Sequence, residues 1–559
     1  MSRANSDQWL RPEEASPRSS DQWLQCYREM TEKLYELRRQ LPDLVTLSVP
    51  TLHPRYPVPA DQVELVYHWS KGIPLPSWSR CGKAWARSLV FAFLETQYLF
   101  RLKIRFSSRL KALRLDRADL LIKAWTFSGA SRNGSGDFYY GPLADQAQSQ
   151  GIRSAFLYGD PRGRIGWQEL QRMFKREGPQ SLPEALFVPI WAPFLLWMKQ
   201  LRSAFSLYRL ASRASDPKLA SVGAVCTVSC LQPSTLRNAL YFYIVREAVR
   251  RFRPRTFLTL YEGQPWEKIA WHGAKAADPK VKILGYQHTV VMPHSLSLTS
   301  PNRPSWELSV PEAVLCLGEV TRRMMAEGHH PFGSRLIEFG TFRRTKESLQ
   351  LSPPRPSRRT ILVLPVGVLE EAVLLFDFAT RLAKGSFQDR FIFRCHPVLP
   401  FGKVHPHLKE DPLRFTNIEV SGQRAVVRRP LAEATGRRAV VRRPLAEATD
   451  QGEITDDFKR SSAVLYHGSS AVLYSLLYGL KPLYVRFKEL PDTDPLFEVE
   501  QWCERVTCVE EAGQALTRYG SSSEQGALKE WEPAFQYANR YLRPVDSASM
   551  DSFFKEVAR

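Results

Sequence analysis

Between Trp85 and Arg109 the apolar residues Leu89, Val90, Phe93, Leu94, Tyr98 and Leu99 recur at helical spacing, with Arg and Lys between them. That period predicts a long amphipathic helix. Residues 1–115 as a whole read as a helical, irregular N-terminal extension. Beyond them the pattern changes. Short apolar runs at 120–122, 155–158, 257–261, 283–286 and 314–317 alternate with helical segments, notably 235–252. Such alternation predicts a parallel α/β sheet over residues 116–345.

The chain then passes through Ser352-Pro353-Pro354-Arg355-Pro356, which reads as a linker. A second alternating unit follows over 357–525. Its runs at 360–365, 390–395, 463–466 and 482–485 predict strands, and 369–382 and 470–478 predict helices. Residues 526–559 read as C-terminal helices. The expected fold class is α/β, with two Rossmann-like domains facing a central cleft and the ligand at the carboxyl ends of the strands. Within the second domain RAVVRRPLAEAT at 424–435 recurs unchanged at 438–449. Repeats of a solenoid diverge along a whole chain, so 422–449 reads as a basic surface insertion that arose by duplication.

Composition narrows the partners. The apolar fraction is 43%, enough for folded cores, and disorder is expected only near residues 1–20. Lys and Arg number 78 against 57 Asp and Glu, a formal charge of +21. Nucleic acid, an anionic membrane surface or an anionic substrate each fits that excess. No Cys/His finger, RNP-type strand or homeodomain-like helix occurs, so nucleic acid is not expected. The start, MSRANSDQWL, lacks the apolar core of a signal peptide. The eight cysteines form no CxxC pair. Reduced thiols and a cytoplasmic location are the expectation, with the inner face of the plasma membrane as a candidate site of attachment. The most apolar stretch, 186–198, is too short to span a bilayer and carries Pro189 and Pro193. Its aromatic residues and the following Lys199, Arg202, Arg209 and Arg213 suit a segment in the membrane interface; a buried helix fits the same letters.

Candidate chemistry sits at strand ends. Tyr466-His467-Gly468-Ser469-Ser470 closes a strand and opens a helix, where free N–H groups and the helix dipole favour an anion. Plain helix capping accounts for the same serines, and SSAVLY also occurs at 461–466, where its apolar part is strand. His396-Pro397 follows a strand directly and places an imidazole at its carboxyl end, with Arg394 or Lys403 positioned to add charge for a phosphate. In the first unit Glu262 ends a strand as a natural general base for an acceptor hydroxyl. Glu267, in the first turn of the next helix, is a second candidate or a compensator of the helix dipole. His288 repeats the strand-end placement, and His294 reads as loop. Asp492-Thr493-Asp494 has the letters of a metal-binding motif, but it lies in a Pro-flanked loop and reads as turn chemistry. No metal is expected.

Taken in order, the carboxylate-Gly pair Glu262-Gly263, His396-Pro397, and Ser469-Ser470 before an apolar helix and Gly479-x-x-Pro482 resemble bacterial sialyl- and polysialyltransferases and their relatives. The stretch 261–298 is similar to the broader bacterial surface-carbohydrate biosynthesis proteins, Kdo-transferase-like enzymes among them. The resemblance covers residues 255–490. It implies a GT-B fold and metal-independent, inverting transfer of a sugar from a nucleotide-sugar donor, CMP-linked by preference, with no resident cofactor. The acceptor it implies is a growing surface polysaccharide or a lipid-linked glycan. Carried over, Glu262 is the base, His396 contacts the donor phosphate beside Pro397 and Arg394, and Ser469 and Ser470 after Gly468 bind that phosphate. The family often has two acidic residues before the Gly. Here Tyr261 takes the first place, which keeps Glu267 and His288 among the catalytic candidates. A CDP-polyol phosphotransferase, a sugar-nucleotide epimerase of the same shape and a non-catalytic envelope scaffold remain open alternatives.

Overall fold

The computed structural model describes residues 20–54, 60–67, 69, 72–106, 117–126, 137, 139–160, 163–173, 180–292, 295–299, 310–327, 334–344, 352–386, 388–421, 454–488 and 490–558. The duplicated segment at 422–449, the stretch 1–19 and His294 lie outside them. Two compact units divide the chain. The first is Met1–Lys346 together with Tyr541–Arg559, and the second is Glu347–Arg540.

In the first unit β1 (Leu120–Trp125), β2 (Ser154–Gly159), β3 (Gln180–Pro183), β4 (Thr256–Leu260), β5 (Lys282–Tyr286), β6 (Ala313–Cys316) and β7 (Arg335–Glu338) make one sheet. Their order is β3-β2-β1-β4-β5-β6-β7, and every neighbouring pair is parallel. The second unit repeats the plan with β8 (Thr360–Leu364), β9 (Arg390–Arg394), β10 (Ile418–Ser421), β11 (Ala463–Tyr466), β12 (Lys481–Val485) and β13 (Glu504–Val506). There the order is β10-β9-β8-β11-β12-β13, again parallel throughout. These are two Rossmann-like domains. Helices on both faces bury the central strands completely, as in β4, β11 and β12, which is why those strands read as continuous apolar runs. The strand order reverses between β1 and β4 and between β8 and β11. Ligands of open α/β sheets bind beyond the carboxyl ends at such reversals.

Both chain ends are tied to the first domain. The helical N-terminal extension packs onto it as a further layer. Trp23, Tyr27 and Leu34 of the Ser20–Gln40 helix share one core with Leu121, Phe257 and Ile283 of the sheet. Their apolar stripe has to be covered, and the sheet's helical layer covers it. At the other end the Ser547–Ala558 helix returns to the first unit, where Met550, Phe553 and Val557 pack with Leu258, Leu284 and Leu315. Its Glu556 binds Lys282 of β5 at 2.7 Å and Arg335 of β7 through both guanidinium nitrogens.

The apolar stretch at 186–198 resolves into a short 3-10 turn, Glu184–Phe187, and the start of a long helix, Ala192–Arg213. Pro193 sits in that helix's first turn, where its missing N–H has no partner to lose. The helix packs on Trp78–Arg105 through Trp85 and Trp197, stacked at 4.3 Å, each indole N–H donating to the other residue's carbonyl. No single helix among the described residues is long and apolar enough to cross a membrane.

Candidate active site

β4 and β5 pair in register up to Leu260 opposite Tyr286. Two residues further on, Glu262 and His288 face each other, with His288 Nε2 2.8 Å from Glu262 Oε1. Gly263, at φ +79°, turns the chain into the Pro265–Ala277 helix, with Gln264 as its N-cap and Pro265 at its first position. The carboxylate of Glu267, the third helical residue, accepts the amide hydrogens of Glu262 and Gly263 at 3.0 Å and of Gln264 at 3.2 Å. Glu267 is fully buried. Burial and the neighbouring Glu262 push its carboxyl up, while the amides draw it down. Expected as an alternative base, Glu267 instead fixes the turn that presents Glu262.

Burial works against the Glu262 charge, but His288 and then Arg343 outweigh it and hold the carboxyl below its usual value. Burial lowers His288 in turn, against the opposing pull of Glu262. A neutral ring that donates Nε2–H to Glu262 carries its lone pair on Nδ1, and that atom is buried with no hydrogen-bond partner. The edge of the pair is aromatic. Tyr139 meets the His288 ring at 4.4 Å in a T-shaped contact, and the Arg343 guanidinium lies 5.1 Å from the Tyr139 ring.

Glu262 opens onto a cavity of about 820 Å³ at the reversal between β1 and β4. Gln264, Trp125, Trp266, Tyr139 and Tyr241 share its lining. Two further carboxylates in the lining are already paired. Glu95 meets Arg164 at 2.9 Å, and Glu184 meets Tyr241 Oη at 3.0 Å and Lys123 Nζ at 3.2 Å. Lys123 is wholly buried, its ammonium 3.5 Å from the centre of the Trp125 ring. Aromatic faces beside a held carboxylate suit a polyhydroxylated ring whose hydroxyl is to be deprotonated.

In the second unit the loops after β8 and β11 meet at the other reversal. Glu371, the third residue of the Leu369–Gly385 helix, accepts from the amides of Val366 at 3.0 Å and Gly468 at 3.2 Å. Burial raises its carboxyl, opposed by His467 and those amides. His467 is buried between two carbonyls, Val485 at 2.8 Å and Pro491 at 3.1 Å, and stacks on Tyr484. Ser469 is buried, and Ser470 is exposed at the N-cap of Ala471–Leu477 with no cap bond from its side chain. The Gly468 amide, expected beside the donor, thus engages Glu371.

His396 stands one strand over, beyond β9. Its Nδ1 accepts the Val398 amide at 3.4 Å, and burial lowers its pKa. A Cβ at Gly367 in the β8 loop would lie 2.8 Å from that nitrogen, so the ring's close approach requires the glycine. Pro397 is exposed. Arg394, expected to add charge for a phosphate, is instead bound to Asp457 at 2.5 Å. Asp457 also takes Ser421 Oγ at 2.7 Å and Arg460 at 2.6 Å, so this ion pair braces the β10 side of the sheet. Asp494 is likewise structural, buried against Tyr466 Oη at 2.6 Å and Arg505 at 2.9 Å.

Sequence reasoning missed Arg343, Tyr139 and Glu371. Only Glu371 had a signal: like Glu267, it is the third residue of a helix that follows a strand and a short turn.

No family model matches the chain, and a search of curated proteins finds no match. Solved structures with a similar path include the glycosyltransferase of kitacinnamycin, at 11% identity and a TM-score of 0.42 over 79% of this chain and 99% of that one. A glycosyltransferase from Rickettsia africae matches at 11% identity and 0.40, over 79% and 99%. The UDP-GlcNAc 2-epimerase of Methanocaldococcus jannaschii, solved with UDP-GlcNAc and UDP, matches at 9% identity and 0.41, over 78% and 99%. At this distance no residue role transfers from them.

Proposed function

We propose that the protein is a glycosyltransferase that uses a nucleotide sugar, CMP-linked by preference, and that its acceptor binds in the first unit's cavity. The observation that carries this reading is Glu262, a carboxylate at the strand-order reversal, oriented by a buried histidine and open to an aromatic-lined cavity. In the reaction, Glu262 takes the proton of an acceptor hydroxyl while that oxygen bonds to the anomeric carbon. The bond from this carbon to the nucleotide phosphate breaks, and its electron pair leaves with the phosphate. His396, with Ser469 and Ser470, is assigned to the leaving phosphate; these residues stand at the carboxyl ends of β9 and β11, on either side of β8. The acceptor class is a surface polysaccharide or lipid-linked glycan.

Thermal-shift titration of the full chain with CMP, CDP, UDP and GDP tests the donor. Stabilisation by CMP supports the CMP-linked reading, and stabilisation by UDP or GDP alone moves the donor to that base. Stabilisation by none of the four sinks the nucleotide-sugar assignment.

A further inference from the structure

Large apolar side chains left exposed on the described residues cluster on two helices that pack together, Trp78–Arg105 and Ala192–Arg213. On the first, Val90, Phe93, Phe100 and Ile104 are each more than half exposed, on the face opposite buried Ala84, Ser88, Ala92 and Leu99. On the second, Leu195, Met198, Leu201 and Phe205 follow a three-three-four spacing, opposite buried Leu196, Ser203 and Leu207, with exposed Trp191 at the N-cap. Both helices therefore have an apolar stripe turned inward and a second one turned outward. The outer stripes have no cover among the described residues. An exposed apolar surface of this extent marks an interaction site.

The charges beside the stripes identify the partner. Arg80, Lys83, Arg87, Arg101 and Arg105 are exposed on the first helix, and Lys199, Arg202, Arg209 and Arg213 on the second. The single acidic residue in either helix is Glu95, which turns to the cavity and pairs with Arg164. A protein partner that buried these stripes would need its own apolar face ringed by acids. A bilayer with anionic headgroups supplies both layers at once, acyl chains for the stripes and phosphates for the basic rim, with long Arg and Lys side chains reaching the headgroups.

We infer that these two helices form a docking face for an anionic membrane surface, on which the protein lies without spanning it. Leu94 belongs both to the exposed apolar set and to the cavity lining, and Phe91, Glu95 and Tyr98 of the same helix also line the cavity. The docked face thus borders the cavity. That this brings a lipid-linked acceptor to Glu262 rests on the function proposed above; the docking itself does not.

Co-sedimentation of the full chain with vesicles of pure phosphatidylcholine, and of phosphatidylcholine mixed with phosphatidylglycerol as the minority lipid, tests the inference. Binding to the anionic vesicles at least ten-fold tighter than to the neutral ones, and weakened by salt, is expected. The double variant Phe93→Ser/Phe205→Ser should lower that affinity at least ten-fold with an unchanged melting temperature. Arg87→Gln/Arg202→Gln should flatten the salt dependence. Absence of binding to anionic vesicles overturns the inference, as does a serine variant that binds like the parent. A dimer in solution that the serine variant splits also overturns it, because the face is then a contact between copies. Vesicle binding by a protein that transfers no sugar leaves the docking standing and counts against the function alone.

Discussion

Glu262 and His288 sit in register, each two residues beyond the last paired positions of β4 and β5, and meet at 2.8 Å. Sheet pairing alone brings them together from opposite ends of a whole strand-helix-strand unit, so the carboxylate is aimed before any ligand arrives. Glu262→Gln keeps the shape and removes the base. Turnover with a nucleotide sugar should fall by about 10²–10⁴, while the melting temperature changes little. A variant that turns over at the parental rate excludes Glu262 as the base.

His288 acts through Glu262, and the pH profile separates that role from simple packing. With its partner in place, the Glu262 carboxyl lies below its usual value, so the acid limb of kcat/KM should lie on the acid side of an ordinary glutamate's. In His288→Ala the donor is gone and burial prevails, which raises the carboxyl and moves the acid limb toward neutral pH. His288→Gln, which retains an N–H donor, should restore the limb in part. Identical limbs in all three proteins would contradict the coupling.

Gly367→Ala tests His396 from a distance. The added Cβ would lie 2.8 Å from the ring nitrogen and equally near the Val398 side chain, so the imidazole must shift. KM for the donor should rise about ten-fold, on the scale of one lost charge-assisted hydrogen bond, with KM for the acceptor unchanged. A rise in the acceptor KM alone would place His396 elsewhere in the reaction.

Glu371 joins the loops after β8 and β11 through two amides. Glu371→Ala removes the carboxylate that both amides donate to and should cost about 1–3 kcal/mol in urea denaturation. Glu371→Gln, with its own acceptor oxygen, should cost less than half of that. Equal losses would show that charge rather than hydrogen bonding holds these loops.

The lysine and arginine partners of Glu556 hold its carboxyl down at about 2. A carboxyl depressed in the folded state contributes stability above its unfolded value near 4.5, and that contribution is lost as pH falls toward 2. Arg335 is half exposed, so screening limits the contribution to about 1–3 kcal/mol. In Glu556→Gln the loss should already be present at neutral pH, and the slope of stability between pH 4.5 and 2 should flatten. Denaturant titrations across that window measure both.

The interior of the fold was legible in the sequence, and its edges were not. The central strands β1, β4, β5, β8 and β11 announce themselves as apolar runs because helices cover both their faces. The strands that pattern reading missed are β3, β7, β10 and β13, which are the outermost strand on each side of each sheet. Half-covered and short, they need few apolar side chains, and β7 carries Arg335 and Glu338 at its ends. Strand-end placement of Glu262, His288 and His396 was legible for the same reason as the interior. What their neighbours do was not, because it depends on register and on contacts between distant turns. Nothing in the letters distinguishes Glu262, open to the cavity, from Glu267, fixed by three amides. Arg394 likewise pairs with Asp457, which lies far along the chain beyond the duplicated segment.

The return of the Ser547–Ala558 helix sets an order of events during synthesis. When the first sheet's last strand has left the ribosome, Leu258, Leu284 and Leu315 still lack Met550, Phe553 and Val557, and the whole second unit, Glu347–Arg540, remains to be made. The part of the sheet face that these three side chains cover is therefore open throughout that interval, the condition under which nascent chains associate wrongly or recruit chaperones. A nonsense mutation anywhere in the second unit would leave that patch open for good, so late truncations should appear as aggregates of the first unit rather than as a soluble half-protein.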